Sequence, residues 1–250
     1  MAQVQYHAMD DGRRIAFRHT PGDGPALVFL PGYMSDMEGG KATALFAWAE
    51  QSGRECLLLD YSGCGASEGD FADGALSRWC EEVHLLIAAQ IGAERVILVG
   101  SSMGGWLMLL AGLGLAQRLA GLVGIAAAPD FTDWGYSEEQ KARLRSGKAV
   151  FEDNPYGPEP TPTHPGFWQD GERQRLLDDT IDITCPVRLL HGQDDTDVPP
   201  AISLRLAEAL ASADVQVTLV KGGDHRLSRD GDIALLLRTI ASLSAVETVA

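Results

Sequence analysis

The chain has 250 residues, 45% of them hydrophobic, and a formal net charge of −15. That length suits one large α/β domain with a substantial core, and the acidic surface argues against a nucleic-acid partner and offers no basic patch to anionic lipid. No apolar run reaches bilayer length, and the polar start from Met1 to Asp10 lacks a secretion pattern. The four cysteines (Cys56, Cys64, Cys80 and Cys185) show no metal-ligand pairing, so reduced thiols, no membrane span and a cytoplasmic location are expected.

Residues 4–9 and 14–19 read as two opening strands divided by the turn Asp10-Asp11-Gly12. Residues 26–30 form a buried strand ending at Pro31-Gly32, and 42–51 have helical spacing. Next come a strand at 56–60, a glycine-rich loop, a helix at 76–91, a strand at 95–99, a helix at 104–119 and a strand at 122–127. After Pro129 the alternation stops. Residues 130–182 carry prolines, aromatics and charges, with short helices expected at 137–145 and 167–177; a connection this long is expected to be a lid. The pattern then resumes with a strand at 187–190, a helix at 201–210, a strand at 215–220 and a helix at 233–243. Strands separated by helices predict an α/β fold. Its central sheet is mostly parallel, with helices on both faces and the opening hairpin antiparallel at one edge. The core would comprise 1–129 and 183–250, with 130–182 as the lid insertion. Chemistry in such sheets gathers beyond the carboxyl ends of the strands.

The pattern G-x-S-x-G occurs twice, around Ser67 and around Ser102, in a chain with 28 glycines. Context separates the two. A nucleophile elbow needs a strand running directly into a helix, and only Ser102 has that setting. Ser67 lies in a loop of turn residues and reads as a tight connection. At the start of a helix, Ser102 also has backbone N–H groups and the helix dipole to favour negative charge.

A serine hydroxyl needs a base to take its proton, and the base needs a carboxylate on its other ring nitrogen. In chain order the acid follows the serine and the histidine comes last. Three histidines lie downstream of Ser102. His164 falls in the insertion, and His191 closes a strand, where it reads as a structural hydrogen-bonding residue. His225, in Gly222-Gly223-Asp224-His225 after the last strand, is placed where the base belongs. The acid comes from Asp194, Asp195 or Asp197 after the strand at 187–190; spacing alone does not choose among them.

The chain resembles the α/β-hydrolases from Leu27 to its C-terminal helix. His191-Gly192-x-x-Asp195-x-x-Val198-Pro199 matches their acid loop, which implies Asp195 as the acid, and Asp60-Tyr61-x-Gly63-x-Gly65-x-Ser67-x-Gly69 matches a non-catalytic loop of theirs. Within that family, Pro31-Gly32-Tyr33-Met34-Ser35, the segment from Gly100 to Leu109, Arg188-Leu189-Leu190-His191-Gly192 and Asp224-His225-Arg226 look like the acyl-protein thioesterases and acyl-glucuronide esterases. The resemblance implies a serine hydrolase that cleaves carboxylic esters or thioesters through an acyl-enzyme, without metal or organic cofactor. Its substrate would be a small ester, an acyl thioester or an acylated protein. A carbon–carbon bond hydrolase or a non-catalytic binding module of the same fold is the alternative. The oxyanion donors expected are the backbone N–H groups of Met103 and Tyr33. Met34, Trp106, Trp134, Trp168 and Val198 are candidates for the substrate wall.

Overall fold

A computed structural model describes residues 2–154 and 157–245. The N-terminal half forms β1 (Gln5–Ala8), β2 (Arg14–Thr20), β3 (Asp23–Leu30), α1 (Gly40–Ser52), β4 (Arg54–Leu59), α2 (Leu76–Gln90), β5 (Val96–Ser101), α3 (Met103–Leu115) and β6 (Leu119–Ile125). An insertion follows, with α4 (Phe131–Trp134), α5 (Glu138–Arg145), β7 (Val150–Glu152), β8 (Thr161–Thr163) and α6 (Pro165–Arg173). The chain then returns to the core as β9 (Val187–Gly192), α7 (Ala201–Ala209), β10 (Val215–Val220) and α8 (Asp230–Ala245).

Eight strands make one sheet in the order β1-β2-β4-β3-β5-β6-β9-β10. The β1–β2 and β2–β4 pairs are antiparallel and the others parallel, as the alternation of elements predicts. Successive strand residues face opposite sides, so one sheet builds two cores. Val28, Leu30, Leu57 and Leu98 pack with Trp79, Leu86 and Leu107 of α2 and α3. Leu27, Phe29, Leu58 and Ile97 pack with Leu45 and Phe46 of α1 and with Leu236 and Ile240 of α8. Each such side chain contributes roughly 1.5–3 kcal/mol when fully buried. No described helix is long and apolar enough to cross a membrane.

Two differences from the sequence expectation concern the elements around the site. The helix after Ser102 stops at Leu115 rather than 119, because Ala116 takes φ 47° and a short 3-10 turn leads straight into β6. The insertion also holds the small antiparallel hairpin β7–β8, which three-residue strands with a proline do not announce. Within the insertion, Ser137 and Gln140 form a reciprocal cap on α5, and Tyr136, Leu144, Val150 and Trp168 make a separate apolar cluster. Asp130, in the left-handed region at φ 58°, joins the two ends of the insertion: its carboxylate accepts the Leu176 N–H at 2.9 Å and the Leu177 N–H at 2.8 Å.

Candidate active site

The turn from β5 into α3 is sharp enough to force Ser102 to φ 56°, ψ −121°. A non-glycine residue held there stores on the order of 1–3 kcal/mol, which the surroundings must offset. They do so with three backbone bonds: Ser102 N–H to Ile125 O at 2.9 Å, and Gly105 and Ala128 N–H to Ser102 O at 2.8 and 3.1 Å. The helix can approach because position 104 is glycine; a β-carbon there would lie 2.1 Å from the Leu30 carbonyl oxygen and 2.4 Å from that of Pro31. Ser102 is thereby presented beyond the carboxyl end of the central strand, at the N-terminus of α3.

The loops after β9 and β10 bring the other two residues to it. They pack so closely that a β-carbon on Gly192 would fall 2.3 Å from the Gly223 carbonyl oxygen, and Asp194 N–H donates to that carbonyl at 2.9 Å. His225 then stands between Ser102 and Asp195. Its Nε2 is 3.0 Å from Ser102 Oγ and its Nδ1 2.9 Å from Asp195 Oδ2. The carboxylate can only accept, so Nδ1 carries the proton and Nε2 is left to take the one on the serine hydroxyl. Asp195 is buried, whereas Asp194 and Asp197 are exposed. Burial alone pushes the Asp195 carboxyl up, but hydrogen bonds from His191, His225 and the Val198 N–H outweigh it and hold the group well below the usual carboxylate range. It is therefore an anion at neutral pH.

The other candidates fall where their surroundings allow no chemistry of this kind. Ser67 Oγ donates to the Asp60 carbonyl at 2.6 Å and accepts the Ala16 N–H at 2.8 Å, which makes it a loop brace. His164 precedes α6 and packs edge-on against Phe71. Among the described residues no group of three His, Cys, Asp or Glu side chains is arranged to hold a metal ion.

A cleft of about 610 Å³ opens over Ser102 and His225. Tyr33, Met34, Met103, Trp134 and Val198 line it. Trp106 and Trp168 do not, and both are corrections. Trp106 is a fully buried residue of α3, with its indole N–H on the Gln174 carbonyl at 3.1 Å. Trp168 donates to the Thr132 carbonyl at 3.0 Å and fills the insertion's own cluster. An aromatic residue in an insertion gives no sign in sequence of which face it turns to the site. The cleft also takes in Lys41 and Arg226, which sequence reasoning missed. Of these, Arg226 could have been suspected from its place next to His225.

The profile of the alpha/beta hydrolase family matches residues 27–234. The chain belongs to the alpha/beta hydrolase family. Among other family members, it is 38% identical over 234 residues to the mitochondrial palmitoyl-protein thioesterase ABHD10 of Mus musculus, covering 92% of this chain and 78% of that one. The corresponding protein of Homo sapiens is 35% identical over 238 residues, covering 92% and 76%. Among solved structures, alpha/beta hydrolase domain-containing protein 10 from mouse superposes with a TM-score of 0.90 at 34% identity over 100% of both chains. A chain from Agrobacterium vitis S4 does so with 0.89 at 38% identity, over 97% of this chain and 99% of that one. These alpha/beta hydrolase relatives overturn the cytoplasmic expectation, since the curated ones are mitochondrial. That expectation rested on the want of a bilayer-length run and a secretion pattern and on the scattered cysteines, none of which is a guide to compartment.

Proposed function

We propose that this chain is a serine hydrolase of carboxylic esters and thioesters, with long acyl groups as its substrate class, and that Ser102, His225 and Asp195 carry the reaction. The observation that carries this reading is the unbroken contact from Ser102 Oγ through the His225 ring to Asp195 Oδ2, at 3.0 and 2.9 Å. The relatives named as palmitoyl-protein thioesterases support the acyl thioester, and so do the aromatic and apolar walls supplied by Tyr33, Phe131 and Trp134.

In the first step Ser102 Oγ bonds to the acyl carbon as its proton passes to His225 Nε2, and the carbonyl π electrons move onto oxygen. Asp195 keeps the imidazole in its Nδ1–H tautomer and balances its positive charge. The oxyanion is met by the backbone N–H groups of Met103 and Tyr33, at the α3 N-terminus and in the loop after β3. The bond to the leaving oxygen or sulfur then breaks, and that atom takes the proton from Nε2. Water repeats the sequence on the acyl-enzyme: His225 accepts its proton, hydroxide adds to the acyl carbon, and Ser102 leaves with the proton restored. Residues 130–182 serve as the lid over the acyl chain.

The test is hydrolysis of a panel of p-nitrophenyl esters and acyl thioesters of graded chain length. Ser102→Ala should retain its fold and lose several orders of magnitude in kcat. Full turnover in that variant would exclude Ser102 as nucleophile. Failure of the wild-type chain to be labelled at Ser102 by a fluorophosphonate would favour a non-catalytic binding module instead.

A further inference from the structure

Asp195 serves more than one imidazole. Its Oδ1 is occupied by two backbone amides, Asp197 N–H at 2.9 Å and Val198 N–H at 2.8 Å. Its Oδ2 faces His225 Nδ1 at 2.9 Å and, on another side, His191 Nε2 at 3.2 Å. His191 is fully buried at the end of β9. Its Nε2 also meets the Val198 carbonyl at 2.9 Å, and its Nδ1 meets Ser203 Oγ at 2.7 Å. A carbonyl oxygen cannot donate, so Nε2 carries the proton of the neutral ring and points it between the Val198 carbonyl and Asp195 Oδ2. Nδ1 is then bare and accepts the Ser203 hydroxyl. Ser203 lies in the first turn of α7 and is itself fully buried, so the ring cannot turn over without leaving two buried groups unpaired.

A histidine needed only to fill the core would be satisfied by Val198 and Ser203. The contact with Oδ2 is additional, and it falls on the oxygen that His225 uses. The two amides pin Oδ1 but leave the carboxylate plane able to pivot about it; a second donor on Oδ2 removes that freedom. We propose that His191, held by Ser203, is a positioning residue of the reaction: it fixes the plane of the Asp195 carboxylate so that Oδ2 meets His225. This inference rests on the reading of Ser102, His225 and Asp195 given above.

Two substitutions separate this role from simple packing. The side-chain amide of glutamine reaches the place of Nε2, whereas that of asparagine reaches only the place of Nδ1. With kcat normalised to active sites titrated by a fluorophosphonate, His191→Gln should stay within about threefold of wild type. His191→Asn should lose about 10- to 100-fold in kcat at unchanged KM, the scale on which partners outside the reacting groups act elsewhere. Equal turnover by the two variants overturns the proposal, as does a fall in Tm for His191→Asn with kcat per titrated site intact. If His191→Asn does not fold, Ser203→Ala takes its place. It leaves the imidazole in position but untethered, and is expected to lower kcat several-fold at constant KM; unchanged kcat overturns the proposal. A wild-type chain that neither hydrolyses esters nor is labelled at Ser102 overturns the reaction and this inference together. Normal wild-type activity with indifferent His191 variants overturns the inference alone.

Discussion

The hydroxyl of Tyr33 donates to the carbonyl of Pro162 at 2.9 Å, tying the loop after β3 to the β7–β8 hairpin of the insertion. The Tyr33 ring adds edge and tilted contacts to Phe71 and Phe167, with centroids 5.0 and 4.9 Å away. Burial, the main cause, pushes its phenol well above the usual range, so it stays a neutral donor. Tyr33→Phe removes one hydrogen bond worth about 1 kcal/mol and is expected to lower Tm by about 2–4 °C. The backbone N–H of residue 33 is untouched, so kcat should fall less than about tenfold. A much larger loss of kcat, measured on p-nitrophenyl esters, would mean that the hydroxyl takes part in the chemistry.

The two insertion tryptophans should separate cleanly. Trp134 lines the cleft, while Trp168 packs the insertion, with the Arg145 guanidinium 5.6 Å from its ring centre. Trp168→Ala is expected to cost about 3–5 kcal/mol in denaturant unfolding and to leave the acyl-length profile per active site unchanged. Trp134→Ala should shift the kcat/KM ratio of long to short acyl esters. An unaltered profile would remove Trp134 from the acyl wall.

Ser102 was legible because it follows β5 directly, and His225 because it stands in the short glycine-rich loop after β10. Asp195 was not separable from Asp194 and Asp197 by spacing. What separates it is which side chain the loop buries, and that depends on packing against Gly223 across the next strand. The same limit explains Trp106 and Trp168. Periodicity finds the apolar face of a helix, but the partner across that face is a tertiary fact. The end of α3 at Leu115 was hidden because Ala116, Gln117 and Arg118, which lead into β6, are all residues a helix accepts, with no glycine or proline among them. His191 was read as a strand-end hydrogen bonder; its contact with Asp195 became visible only with the loop in three dimensions.

Lys41 provides a pH test. Its ammonium donates to the Arg226 carbonyl, and burial, helped by the Arg226 charge, pushes it down to about 8 against the pull of Asp224 and Asp232. Between about pH 8 and the ordinary lysine value near 10.5 the unfolded chain holds this proton and the folded chain does not, so the Lys41 contribution to stability rises with pH across that window. Below it, the buried charge costs stability. Lys41→Met is expected to exceed wild type at pH 7 by about 1–2 kcal/mol after allowance for solvent screening, less whatever the lost bond to the Arg226 carbonyl takes back. The gap should close above pH 10.5. A wild-type-minus-variant difference that is flat with pH would contradict the assignment.

The thiols should be silent. Burial pushes Cys80 and Cys185 up to about 11 and Cys64 to about 12, and raises Cys56 further. Little thiolate exists at neutral pH. Iodoacetamide at pH 7 is therefore expected to leave thioester hydrolysis within experimental error of the untreated enzyme, while a fluorophosphonate abolishes it. Inactivation by iodoacetamide would point to a cysteine nucleophile.

Because one carboxylate, that of Asp130, grips the amides of Leu176 and Leu177, the chain leaving β6 and the chain returning toward β9 are clamped to each other. Exchange of the stretch between must still answer the contacts it makes with the core: Pro162 with Tyr33, Gln174 with Trp106 and Phe167 with Trp79. A graft that keeps this junction and those contacts is the arrangement in which selectivity could diverge while the chemistry stayed constant.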